Sequence, residues 1–258
     1  MTRLSHWVLR AVLTYLVVVW LAVLAFDFLQ IIQLRSLIWL RLFSEGYPTE
    51  WLQWFCIAGC LITAAYLWGR CGAMDVRHGA AYGFLAAGFA IMLIEDAGNI
   101  RHRMGAILLL NVLGLDSDGG LPKTLFELTF YSTLGMLMLW PFLRYGRRLP
   151  FNGRAAGLIL AGYLAYLVAA GSSATRYVGQ WYERTGSAII DMAGVSGYPS
   201  WARMTAELQD RGREYPLDSL GFFLLDFAVE ETLELIGAGC LLAGLLTLGA
   251  AELARERR

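Results

Sequence analysis

The sequence predicts an all-α fold, a polytopic membrane bundle of about six transmembrane helices plus an interfacial amphipathic helix, and three observations carry that prediction. Apolar residues make up 57% of the 258-residue chain and aromatic residues 13%, while charged residues are only 16% and balance to a formal net charge of zero. That composition belongs to a chain solvated by lipid. The apolar residues fall in runs near the length of about 20 residues that a helix needs to cross a hydrocarbon core of about 30 Å. No long repeat or low-complexity tract separates the runs, so residues 1–258 read as a single integral membrane domain.

The first span runs from Trp7 to Phe28 behind Arg3 and Arg10. A secretory leader begins in the same way, but Ala22-Val23-Leu24-Ala25 is a poor small-x-small cleavage site and the run is long, so the segment reads as a retained helix. From Ile31 to Arg41 apolar residues alternate with Gln33, Arg35 and Arg41, the pattern of an amphipathic helix lying in the interface or of the first helix continuing beyond the bilayer. The second span, Trp51 to Trp68, carries Cys56 and Cys60 one turn apart; in so apolar a helix they read as small packing residues. The third runs from Ala80 to Gly98, the fourth from Leu125 to Leu143 and the fifth from Ala155 to Ala174. The sixth lies within Leu220 to Ala251. The second and third are short, so five or seven spans also fit. GLDSDGG, Gly114 to Gly120, lacks the later Glu of a calcium loop and reads as a turn. The outer loop from Thr175 to Ser219 holds WARMTAELQDRGREY, whose charges follow a helical period. Its Tyr177, Trp181 and Tyr182 suit headgroup depth.

Arginine sets the orientation. Short connections such as GRCGAMDVRHG and RYGRRLPFNGR are rich in it, which places them, together with both termini, on the cytoplasmic side. All basic residues but Lys123 are Arg, the habit of a GC-rich bacterial genome, so a bacterial inner membrane is expected. Neither the balance of charge nor its distribution points to nucleic acid.

With that threading, carboxylates inside or at the edge of a span fall on the outer side, and none is expected in an inner half. Asp27 ends the first helix, Glu95 and Asp96 end the third, and Glu127 begins the fourth. Asp226, Glu230, Glu231 and Glu234 occupy the outer half of the last, in LDFAVEETLEL. Charged side chains at such depths cost roughly 2.5 to 3.5 kcal/mol each on insertion scales, so their convergence from four helices asks for a compensating partner. At 100° per residue Asp226, Glu230 and Glu234 fall within an arc of about 80°, with Glu231 to the side. If the third helix continues past Gly98, Glu95, Asn99 and His102 share a face, as do Glu127 and Tyr131 on the fourth. This donor set suits a divalent metal ion or a relay of protons. The expected ligands are therefore Glu230, Glu234, Asp226, Glu95, His102 and Glu127, with Arg101 and Arg103 balancing the remaining charge. His6 and His78 fall in inner segments and are expected to be solvated.

The expected function is binding, with movement as an extension, of a cation at this acidic site. One alternative is a metal-dependent hydrolase acting on a lipid or other amphiphile, in which a free carboxylate is general base for water. Another is an assembly protein whose acids are only ion-paired or dock a basic partner. Expected partners are the bilayer, the cation, and a second copy through the small-residue faces Gly153-x-x-x-Gly157 and Gly237, Gly239, Gly244 and Gly249. Gly194-Val195-Ser196-Gly197 resembles the Gly-x-Ser-Gly of rhomboid proteases, but it sits in a loop and no His follows it. Glu230-Glu231 resembles the paired glutamates of CAAX-processing membrane proteases, yet position 235 is Leu where that family has Arg, and downstream His residues are missing. Neither family is assigned. The sequence contains no His-Glu-x-x-His, phosphate loop or dinucleotide fingerprint.

Overall fold

The computed structural model describes residues 2–114, 120–147, 149–150, 152–211 and 219–256, with the side chains of all of these except 102, 120, 211 and 256. Every regular element among them is helical. Helix α1 (Thr2–Val23) ends in a wider π turn, Leu24–Phe28. There follow α2 (Ile38–Phe43), α3 (Pro48–Gly72), α4 (Val76–Gly98) and α5 (Ile100–Ala106), the last continued by a π turn over Ile107–Val112. Next come α6 (Gly120–Tyr145), α7 (Gly153–Thr175), α8 (Trp181–Ala193) and α9 (Pro199–Arg211). The chain closes with α10 (Leu220–Phe223), a π turn over Leu224–Val229 and α11 (Glu230–Glu256).

Five of these stretches are long and apolar enough to cross a membrane: Thr2–Phe28, Ile38–Gly72, Val76–Gly98, Gly153–Thr175 and Leu220–Arg255. The expected fourth span is a helix of 26 residues, but Lys123, Glu127, Thr129, Ser132, Thr133 and Pro141 dilute its apolarity and it does not join the five. Large apolar side chains such as Trp7, Leu21, Phe55, Ile62, Leu164 and Leu167 project outward, as they do where lipid replaces water around a bundle.

Helix α11 is the axis. Its most apolar stretch is 67% buried, against 22% for α1 and for α7, because α7, α3 and α1 all pack on it. Small residues permit this: a Cβ on Gly162 would meet the Gly237 carbonyl oxygen at 2.9 Å, and one on Gly244 would meet Ile159 Cγ1 at 2.6 Å. Gly237, Gly239 and Gly244 thus pack within the chain, whereas Gly153 and Gly157 meet nothing within 4 Å.

The helix between the first two spans is shorter than the alternation implied, because its start is fixed by a side chain. Asp27 Oδ1 and Oδ2 accept the backbone N–H groups of Ile38 and Trp39, each at 2.9 Å, which caps a six-residue helix and leaves Ile31 and Ile32 exposed outside it. Trp39 and Phe43 of that helix are fully buried with Trp201, whose Nε1 donates to the Asp27 carbonyl at 2.7 Å. The described part of the Thr175–Ser219 segment is largely helical: α8 and α9 fold over this end of the bundle, and α8 docks where Gly186 and Gly221 touch backbone to backbone. The charged helix in that loop is α9, and residues 212–218 of the same stretch lie outside the described part, as do 115–119 of the expected turn.

Candidate functional site

Helices α3, α4, α5, α6 and α11, the start of the α7–α8 connection and the loop after α2 enclose a cavity of about 320 Å³ at one end of the bundle. Eight carboxylates line it: Glu45, Glu50, Glu95, Asp96, Asp226, Glu230, Glu231 and Glu234. Two guanidiniums, Arg101 and Arg176, and the Tyr131 ring line it too.

Local backbone features explain how so many acids meet. The helix carrying Glu95 and Asp96 stops at Asn99, which takes the left-handed conformation (φ 50°, ψ 40°) and donates its N–H to the Glu95 carbonyl. The face shared by Glu95, Asn99 and His102 therefore does not continue as expected; the chain turns at Asn99, and Arg101 comes back to place Nε 3.1 Å from Glu95 Oε1. In the last span the π turn at Leu224–Val229 precedes Glu230. A π turn aligns i with i+5 rather than i+4, so Asp226 is brought into line with Glu231 as well as Glu230. This is why Glu231, expected to the side of the stripe, lines the cavity and is only 9% exposed.

The polar contacts are short and directional. Gln53 Nε2 donates to both Asp96 Oδ2 (2.9 Å) and Glu234 Oε2 (2.8 Å), bridging α4 and α11. Tyr182 of α8 donates its hydroxyl to Glu230 Oε2 at 3.0 Å. Arg176 Nη1 reaches Asp226 Oδ1 at 3.0 Å and Ser173 Oγ at 3.1 Å. Glu127 sits between the two arginines, 3.5 Å from Arg101 Nη1 and 3.9 Å from Arg176 Nη2. Glu50 accepts the backbone N–H of Gly46. Burial alone would lower the affinity of Arg101 and Arg176 for their protons. Tyr131, Glu127 and Glu95 around Arg101, and Asp226, Glu127 and Glu230 around Arg176, outweigh it and hold both above the ordinary arginine range. Glu231 Oε2, Gln53 Oε1 and Arg176 Nε are buried and make no hydrogen bond among the described residues.

Of the expected ligands, Glu95, Asp226, Glu230 and Glu234 line the cavity together. Glu127 lies behind it, in the arginine pairs. The backbone of His102 is in α5, and its side chain lies outside the described part. Arg101 is where charge balance needs it, but Arg103 is exposed, and the second balancing cation is Arg176. Asp27 is a capping group and not part of the cavity. The sequence reading missed Glu50, Gln53 and Arg176. Each stands at a helix end, just outside or just inside an assumed span limit, where amphipathic period carries no information.

Comparison of the chain with protein-family models, with characterised proteins and with solved structures finds no match. The site must therefore be read from its own chemistry.

A second cavity, of about 420 Å³, opens between α6 and α7 and shares Glu95, Asp96, Tyr131 and Glu234 with the first. Its remaining walls are mainly apolar, including Ile57, Met92, Leu128, Met138, Leu167 and Leu241, and the buried hydroxyl of Tyr166 in its lining has no hydrogen bond among the described residues. At the opposite end of the bundle stands a separate buried group of metal-ligating side chains, Cys71, His78 and Glu252, whose donor atoms all lie within 4.8 Å of one another. This corrects two expectations. His78 is largely buried, its side chain 12% exposed and its Nε2 2.6 Å from Glu252 Oε1. Glu252, 3% exposed, is a carboxylate buried at the end of the last span opposite the acidic cavity, in the half where no acid was expected. It stood one residue past the assumed limit of the last helix, which in fact continues to Glu256.

Proposed function

We propose that the acidic cavity binds a cation, a divalent metal ion or protons, with Glu230 and Glu234 as primary ligands joined by Asp226, Glu95 and Glu231. The observation that carries this reading is the imbalance around one volume: eight carboxylates and two guanidiniums face about 320 Å³. Glu231 Oε2, buried there, has no hydrogen-bond partner among the described residues. A buried charge without compensation costs several kcal/mol, and packed carboxylates cannot all ionise alone. A cation or bound protons supply what the arginines do not. Oxygen-only donors favour hard ions such as Mg²⁺, Ca²⁺ or Mn²⁺. By the distribution of arginine the cavity opens toward the outer leaflet.

Binding is favoured over transit. Movement across the bilayer needs polar groups continuing from the cavity, whereas the space beyond Gln53 is the second, mainly apolar cavity, and past its Ile57 and Leu241 the core is packed by Cys60, Ala64 and Leu67 of α3 and Leu245 of α11. Docking of a basic partner is disfavoured because most of the acids turn inward.

A second reading, a metal-dependent hydrolase acting on a lipid or other amphiphile, is supported by one specific feature. The apolar cavity meets the acidic one at Glu95, Asp96, Tyr131 and Glu234, so an amphiphile lying between α6 and α7 would present its head to the acids. A bound metal would supply Lewis-acid chemistry there, and a carboxylate not ligating it would take the proton of an attacking water.

The test uses detergent-purified protein stripped with chelator and then given Mg²⁺, Ca²⁺ or Mn²⁺. At an ion concentration a hundredfold above Kd, stabilisation of about 2.7 kcal/mol is expected, absent in Glu230→Gln and Glu234→Gln. If no ion stabilises the protein and the variants are as stable as the parent or more so, metal binding at this site falls. Ion-dependent cleavage of a phospholipid, lost in Glu234→Gln, would select the hydrolase reading.

A further inference from the structure

We propose that Cys71, His78 and Glu252 form a zinc site, independent of the acidic cavity and at the other end of the bundle. Glu230 and Glu252 are 22 residues apart on α11, roughly 33 Å at the rise of an α-helix. The three side chains come from the last turn of α3, the first turn of α4 and the last turns of α11, and they offer a sulfur, a nitrogen and an oxygen. That mixed set is characteristic of zinc, whose bonds of about 2.3 Å to sulfur and about 2.0 Å to nitrogen or oxygen place tetrahedral ligands roughly 3.3 to 3.8 Å apart. Here the donors lie within 4.8 Å, so closing on an ion requires only rotamer adjustment.

The convergence is built into the backbone. A Cβ on Gly79 would sit 2.4 Å from Gly72 Cα, so α3 and α4 leave their short connection in direct backbone contact, which brings the neighbouring Cys71 and His78 together. Asp75 fixes the turn by accepting the N–H of Arg77 at 2.9 Å. Tyr82, one turn beyond His78, donates its hydroxyl to Glu252 Oε1 at 2.6 Å, the outer-shell bond that orients a ligating carboxylate. On loading, the ion replaces the proton shared by His78 Nε2 and Glu252 Oε1, and the Cys71 thiol releases its own proton to solvent. Three protein ligands leave the fourth position open to water, so the site is not of the closed four-ligand structural type.

The experiment is titration of the chelator-stripped full chain with Zn²⁺ and, separately, Co²⁺. Equimolar zinc retained after dialysis is expected, together with a thiolate-to-cobalt charge-transfer band. Cys71→Ala leaves the His78–Glu252 pair intact, so it should fold normally while losing the band and weakening zinc binding by at least tenfold; Tyr82→Phe should weaken it by about tenfold through the outer shell. The double variant Glu230→Gln/Glu234→Gln should retain the band in full. No bound zinc in the wild type, or binding unaltered by Cys71→Ala, would overturn the assignment and leave His78 and Glu252 as an ion pair only.

Discussion

Arg176, with Arg101, makes the acidic cavity tolerable: it holds Asp226 and flanks Glu127 while itself 7% exposed. Removing one partner of a buried pair leaves the other uncompensated, which costs about 3 to 5 kcal/mol. Arg176→Met should therefore lower thermal stability strongly, and Asp226→Asn in the same chain should restore part of the loss, a coupling that denaturation of the two single variants and the double would measure. At this scale the sequence was informative where it placed an acid well inside an apolar run, as with Asp226, Glu230 and Glu234. It was silent about Arg176, Glu50 and Gln53, since nothing in a single chain distinguishes a helix-end side chain turned inward from one in the headgroups. His78 and Glu252 show the same blindness: each stood at an assumed boundary, and only the packing of α3, α4 and α11 shows them buried together.

Helices were the more legible level. Five of the expected spans are helices long and apolar enough to cross a membrane, because a hydrophobic run of that length has few alternatives to an α-helix in lipid. What the runs do not encode is local departure from regular period. The left-handed Asn99 and the π turn at Leu224–Val229 each redirect charged side chains, and neither leaves a mark in hydropathy. The short α2 is another case, since a single carboxylate twelve residues before Trp39 decides where it begins. Glycine contacts fix how α8 closes over this end: a Cβ at Gly186 would lie 1.8 Å from the Gly221 carbonyl oxygen, against backbone that cannot rotate away. Gly186→Ala should force α8 off α10, with a loss of about 1 to 3 kcal/mol. Because Tyr182 on α8 bonds Glu230, faster hydrogen exchange in α8 should accompany weaker cation binding. Unchanged exchange in that variant would show that α8 is not held by this contact.

Taken whole, the molecule is a bundle with polar chemistry at its two ends and an apolar middle, which is why cation binding rather than passage is the expected behaviour. The direct measurement of the central claim is metal content per chain after equilibration with Mg²⁺, Ca²⁺ or Mn²⁺, in a Cys71→Ala background that silences the zinc site, with and without Glu230→Gln/Glu234→Gln. Stoichiometric binding of one of these ions to the parent and its loss in the double variant is the predicted result. The absence of binding in both, or equal binding in both, would contradict a divalent-cation site at the acidic cavity.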